Sequence, residues 1–344
     1  MTNELRVGVV GAGAMGADHI RRIETRVAGA RVAAVVEPDA GRAAAAGRDA
    51  PSAQMFARIE DALAAEAMDA VVIAVPGPLH LQTLLPALEA GLPILCEKPL
   101  TPDSATSLRV IEAEQRLERP HVQVGFMRRF DPEYAQLREM IASGEAGELL
   151  MLHCAHRNAS VSEAYVQQML INDSVVHEFD VVPWLAGSPL TSVEVRYSRR
   201  NPAAPARLRE PILVLMELEN GMIVDVEMSV NVQFGYQVTT EAVFSRAALR
   251  IGDPLAARPG ARAAHESFET RFAEAYDIEM QRWVDAVMRG DLVDGPNAWD
   301  GYLVALACEA GVRALSGGVH LVERPDPPAF YLPTHARGRQ SARA

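Results

Sequence analysis

The chain has 344 residues, a formal net charge of −12, 49% hydrophobic residues and 23% charged ones. That length favours two domains, and the composition is that of a folded globular chain rather than a disordered one. The acidic balance offers no basic surface to a nucleic-acid backbone, and no window approaches the roughly 18 apolar residues that a membrane-spanning helix needs, so neither nucleic acid nor membrane is expected as a partner.

The first 126 residues alternate short apolar runs with helix-period segments. Residues 5–10, 32–37, 70–75, 93–96 and 122–126 read as strands, and runs such as AVVIAV suit strands covered by helices on both faces. The expected architecture is an α/β doubly wound parallel sheet of the Rossmann type. Directly after the first strand, Gly11, Gly13 and Gly16 form G-x-G-x-x-G at the start of a helix-competent run. In that context the glycines make a tight turn, let the backbone approach a pyrophosphate and allow close helix-strand packing. The second strand ends on Glu37, about 20 residues further on, where a carboxylate accepts from ribose hydroxyls and favours NAD over NADP. Arg42 leaves a 2′-phosphate conceivable, although Glu37 would repel it first.

The fifth strand ends at Glu97-Lys98-Pro99, the carboxyl edge where open α/β sheets bind ligands. Of 33 basic residues 32 are arginine, and Lys98 is the single lysine. Arginine cannot replace a compact ammonium donor or a group that must give up a proton, which singles Lys98 out for chemistry; the alternative is an ordinary solvated lysine.

From residue 127 the pattern changes. A helix over 132–143 leads to strand-like LLMLHCAH, a helix through VVHEFDVVPWL, then five successive strands, VEVRYS, ILVLMELE, MIVDVEMSV, YQVTTEAVF and ALRI. These predict an α+β domain with a large, mostly antiparallel sheet. Helices over 272–289 and 298–315 close the domain. The expected domains are 1–126 for the dinucleotide, 127–330 for substrate and oligomerisation, and a flexible tail at 331–344. Asp173 and His177 stand four apart, so on a helix they share a face and the carboxylate can raise the basicity of the imidazole; alternatively Asp173 is an N-cap and His177 a satisfied buried histidine. His153 and His156 have a metal-ligand spacing, but on a strand residues three apart face opposite ways, so no metal is expected. Cys96, Cys154 and Cys308 form no CxxC pair, and the N-terminal run shows no export signal, which fits a cytoplasmic location.

With GAGAMG at 11–16, CEKPL at 96–100, VQVGFMRRFDPEY at 122–134, HCAHRN at 153–158, VVHEFDV at 175–181 and GPNAWDGY at 295–302, the chain resembles the glucose-fructose oxidoreductase/inositol dehydrogenase family nearly end to end. FMRRFD and HCAHRN point to its inositol-type branch. The resemblance implies NAD-dependent oxidation of a polyol, myo-inositol at C2, with scyllo-inositol, an amino-cyclitol or a pyranose as alternatives. A non-catalytic dinucleotide-binding regulator is the reading from a different class. The resemblance also implies a catalytic group of Lys98, Asp173 and His177, and a polyol pocket adding Met127, Arg128, His156, Asn158 and Tyr236. Cofactor contacts follow at Gly11, Gly13, Ala14, Met15, Gly16, Glu37, Pro76, His80, Glu97 and Lys98. A homotetramer, covering the open sheet face, is the implied assembly.

Overall fold

A computed structural model describes residues 4–252 and 265–332. The first part of the chain runs β1 (Leu5–Val10), α1 (Ala14–Thr25), β2 (Ala30–Val36), α2 (Ala40–Asp49), β3 (Gln54–Phe56), α3 (Ile59–Ala64), β4 (Ala70–Ile73), α4 (His80–Glu89), β5 (Ile94–Glu97), α5 (Ser104–Glu114) and β6 (Val122–Gly125). All neighbours pair in parallel in the order β3-β2-β1-β4-β5-β6, the doubly wound sheet expected from the apolar runs. The sequence reading missed β3, three residues without a buried face.

The chain continues through a 3-10 turn at Met127–Phe130, α6 (Pro132–Ser143), β7 (Leu149–Arg157), a π-helical turn at Leu170–Val175, α7 (Val176–Ala186), β8 (Leu190–Tyr197), β9 (Ile212–Leu218), β10 (Ile223–Ser229), β11 (Gln237–Phe244), β12 (Ala248–Gly252), α8 (Phe268–Arg271), α9 (Ala273–Arg289), α10 (Ala298–Ala314) and β13 (Val319–Leu321). Seven strands line up as β12-β11-β7-β10-β9-β8-β13. Every pair is antiparallel except β7 with β10, because the β8-β9-β10 meander returns alongside β7 in the same direction.

The chain divides into two compact units, one of residues up to Phe126 with Asp277–Ala305 and the stretch from Arg324, the other of Met127–Tyr276 with Leu306–Glu323. The expected single break after residue 126 therefore omits a return of the chain. Its physical cause is packing: Met280, Trp283 and Val284 of α9 sit in one core with Val7, Val9 and Ile20. Asp277 accepts from both Arg22 and Arg26 of the α1 region, which pins the same helix. The expected flexible tail also begins too early at 331. The Tyr331 hydroxyl donates to Glu114, and its ring stacks on Trp299 at 6.0 Å. The rest of that expected tail lies outside the described residues. Among the described residues no helix is long and apolar enough to cross a membrane.

Candidate functional site

In the first unit, a cavity of about 620 Å³ opens at the carboxyl ends of β1, β2 and β4, lined among others by Gly11, Gly13, Glu37, Arg42, Val75 and Pro76. The three glycines have three separate reasons. Gly11 sits at φ +91°, a conformation that L side chains rarely adopt, and a Cβ there would lie 2.8 Å from the Ala74 carbonyl oxygen. A Cβ on Gly16 would stand 1.8 Å from the Gly11 carbonyl oxygen, so this position lets α1 seat against the loop. At Gly13 a Cβ would meet nothing within 4 Å; there the absent side chain leaves room for a ligand rather than for protein. Ala14, Met15 and Gly16 form the first turn of α1, which has neither a side-chain cap nor an acidic residue. An uncapped helix start behind an open glycine cradle fits a pyrophosphate.

Glu37 closes the wall. Its Oε2 accepts from Ala12 N at 2.9 Å, and its Oε1 from Asp39 N at 2.9 Å and Arg42 Nη2 at 2.8 Å. Burial alone would raise this carboxyl, yet the Arg42 guanidinium and the two main-chain donors hold it below the ordinary carboxylate range. Arg42 is thus engaged by the acid.

Two of the expected cofactor side chains are buried. His80 is 1% exposed, with Nδ1 2.7 Å from the Pro99 carbonyl oxygen and Nε2 2.8 Å from that of Val75. Glu97 is also buried, and its Oε1 lies 2.7 Å from His19 Nε2 on α1. Both were expected at the cofactor; in the fold the His80 ring meets the loops after β4 and β5, and Glu97 meets α1. Lys98 follows Glu97, half-buried, at the carboxyl end of β5. The GPNAWDGY run is a brace. Asn297 caps α10 through Trp299 N at 2.8 Å, and a Cβ on Gly301 would lie 2.7 Å from Leu100 Cβ, so this glycine packs on the segment that follows Lys98.

In the second unit Arg128, His156, His177 and Tyr236 gather at a buried ion pair. Met127 and Arg128 sit on the 3-10 turn, which is tied down where Asp131 caps α6 and accepts from Arg271 at 2.7 Å. Arg128 Nη1 donates to Glu178 Oε1, and Arg128 Nη2 donates to His156 Nδ1 at 3.1 Å. The His156 ring is 6.3 Å from that of His177 and 5.8 Å, edge-on, from that of Tyr236. His153 points to the other face of β7 and pairs with Asp225, as strand alternation requires. Asn158 follows β7 directly, and its Oδ1 is buried without a hydrogen-bond partner among the described residues. Asp173 lies on the π-helical turn and His177 in the first turn of α7, so the register changes between them. Such turns recur at functional sites.

Arg128, expected at the polyol, also donates through its two terminal nitrogens to Glu178 and His156. Glu178 itself escaped the sequence reading, although it directly follows His177. Burial alone would raise its carboxyl, but Arg128 and His156 hold it below the ordinary range. Burial pushes the Tyr236 hydroxyl up to about 12, so it is a neutral donor.

The family model for an oxidoreductase family with an NAD-binding Rossmann fold, GFO_IDH_MocA, matches residues 5–126, and the GFO/IDH/MocA C-terminal domain matches 134–250. Inositol 2-dehydrogenase of Corynebacterium glutamicum ATCC 13032 is 66% identical over 336 residues, covering 96% of this chain and all of the relative. That of Leifsonia xyli subsp. xyli is 65% identical, covering 96% and 99%. Among solved structures, myo-inositol dehydrogenase from Lactobacillus casei in complex with NAD(H) and myo-inositol superimposes with a TM-score of 0.90 at 31% identity, covering 96% of this chain and 100% of that one. Scyllo-inositol dehydrogenase from the same organism, with NAD(H) and scyllo-inositol, gives 0.82 at 25% identity, covering 93% and 99%.

Proposed function

The chain belongs to the Gfo/Idh/MocA oxidoreductase family, and from that premise we propose that it oxidises myo-inositol at C2 to 2-keto-myo-inositol. It is an NAD-dependent oxidoreductase. The observation that carries the substrate reading is the buried cluster of His156, His177, Tyr236, Arg128 and Glu178, with the unpartnered Asn158 Oδ1 beside it in sequence. A cyclitol offers only hydroxyls, and such a site suits it with hydrogen-bond donors and acceptors whose loss costs selectivity heavily.

Gly11, Gly13, the first turn of α1 and Glu37 would hold NAD, which when bound supplies the hydride acceptor. His177 is the proposed base for the hydroxyl proton, with Asp173 orienting the imidazole and stabilising its charged form. Lys98 is the proposed donor to the reacting oxygen, its ammonium stabilising alkoxide character where a planar guanidinium would be too wide. His156, Asn158 and Tyr236 would position the remaining hydroxyls, with Met127 beside them and Arg128 fixing His156. The homotetramer belongs to the same proposal, and a mass measurement decides it.

The test is inositol-dependent NAD reduction followed by nicotinamide absorbance, with scyllo-inositol and glucose as competing substrates. Lys98→Met and His177→Ala should each lower kcat by about 10²- to 10⁴-fold and leave NAD affinity nearly unchanged. Full turnover in both variants rejects the assignment. A preference for scyllo-inositol or glucose moves the substrate and leaves the chemistry.

A further inference from the structure

His80 opens α4, straight after the loop that follows β4, and its ring is buried. Its neighbours have one character. Nδ1 faces the carbonyl oxygens of Pro99 at 2.7 Å and Leu100 at 3.2 Å, while Nε2 faces that of Val75 at 2.8 Å. The Cys96 Sγ lies 3.4 Å from Nδ1, and that thiol donates to the Glu97 carbonyl oxygen. Burial pushes the thiol well above its ordinary range, so it brings no charge.

Carbonyl oxygens only accept, and a neutral imidazole has a single N–H. With one proton, the ring would turn a lone pair towards a carbonyl oxygen at close range on one of its two sides. We propose that His80 is a positioning residue that carries protons on both ring nitrogens and clamps the loop after β4 to the Lys98-Pro99-Leu100 segment. The first loop walls the dinucleotide cavity at Val75 and Pro76; the second begins with the proposed catalytic ammonium. The two loops also touch directly, since a Cβ on Gly77 would lie 3.6 Å from the Pro99 ring. Two charge-assisted hydrogen bonds to main chain hold Lys98 through the residues that follow it, a role that an amide side chain cannot fill because one end of it is an acceptor. The kinetic consequence rests on the catalytic reading of Lys98; the protonation of His80 does not.

The test therefore has two arms. In full-length protein labelled with nitrogen-15 histidine, NMR at the assay pH should show a ring protonated at both nitrogens whose signals vanish in His80→Gln. A His80 ring with one proton overturns the proposal. Should the variant not fold, the wild-type spectrum still decides, because the ring can be assigned through its own backbone resonances. In the second arm, His80→Gln should lower kcat about 10- to 100-fold in the wild-type background. In a Lys98→Met background the same substitution should change the residual rate by less than about threefold, because its effect passes through Lys98. Equal losses in both backgrounds overturn the clamp. Retained turnover in Lys98→Met alone rejects the catalytic reading instead and leaves the NMR arm to judge His80.

Discussion

Two arginine-glutamate pairs divide the chemistry of this molecule. At the dinucleotide cavity, Arg42 meets Glu37 with its side chain 53% exposed, and the acid keeps two main-chain donors besides. In the second unit Arg128 meets Glu178 with both side chains 1% exposed. The first site is made mainly of backbone: glycines, a helix start and loop N–H groups, with side chains as trim. The second is made of side chains from residues 128, 156, 178 and 236, and its charges are interdependent. A backbone site tolerates loss of a side chain and fails when its space is filled; a buried side-chain site does the reverse.

The largest expected effect follows from that contrast. Arg128→Leu strands a buried carboxylate and removes the donor to His156, so it should destabilise the protein by about 3–5 kcal/mol in urea or thermal unfolding. The double variant Arg128→Leu/Glu178→Leu should recover most of the stability, since no charge is left uncompensated, while polyol-dependent turnover stays low because His156 has lost its anchor. A stable Arg128→Leu single variant would mean that the pair is not what holds this cluster together.

The glycines sharpen the other half. Gly16→Ala puts a methyl into the Gly11 main chain at 1.8 Å, which no rotamer can relieve, and should cost about 1–3 kcal/mol together with NAD binding. Gly13→Ala meets nothing within 4 Å, so stability should stay within about 0.5 kcal/mol. NAD affinity should nevertheless fall on the order of tenfold, because the methyl occupies the cradle. Titration calorimetry beside thermal melts separates the two, and equal melting losses would refute the distinction between packing glycine and cradle glycine.

Alkaline pH bears on the second unit as well. Burial pushes the Tyr236 hydroxyl from 10.0 to about 12. The folded state keeps its proton where the unfolded chain gives it up, so the stabilisation is whole below about pH 10 and is lost as pH rises towards 12. Tyrosinate absorbance should therefore lag behind that of a free phenol and then rise with unfolding; in Tyr236→Phe the lag should shrink.

The backbone site was legible because its signals are local. G-x-G-x-x-G, Glu37 and the apolar runs lie within one stretch, and the strands they imply match the parallel sheet closely. The second site was half legible. His156 and His177 lie in the motifs and Tyr236 came with the family resemblance, and the rings do gather, yet Glu178 carried no signal: an acid beside a catalytic candidate reads as a solvated face until β7, α7 and the 127–130 turn enclose it. For His80 and Glu97 the folded loops add partners that the sequence could not show. Motif position assigned them to the cofactor; their protein partners are three carbonyl oxygens and a histidine on α1, which only the folded loops bring within reach. The return of 277–305 to the first unit was invisible for a similar reason, since an amphipathic helix does not say which core it covers.

The smallest effect concerns Arg42. Its removal takes one of three hydrogen bonds from the buried Glu37 and leaves the two to main chain, and the guanidinium is 53% exposed and screened by solvent, so Arg42→Ala should shift the melting curve only slightly and leave NAD affinity nearly unchanged. Glu37→Ala differs in kind. It orphans Ala12 N, removes the proposed acceptor for ribose hydroxyls and releases a guanidinium at the cavity wall, where a 2′-phosphate would meet it. The ratio of NADP to NAD turnover should therefore rise in Glu37→Ala, fall back in Glu37→Ala/Arg42→Ala and stay flat in Arg42→Ala. If Arg42→Ala alone shifted that ratio as far as Glu37→Ala does, the discrimination would belong to the arginine, and the wall of the first site would depend on side chains after all.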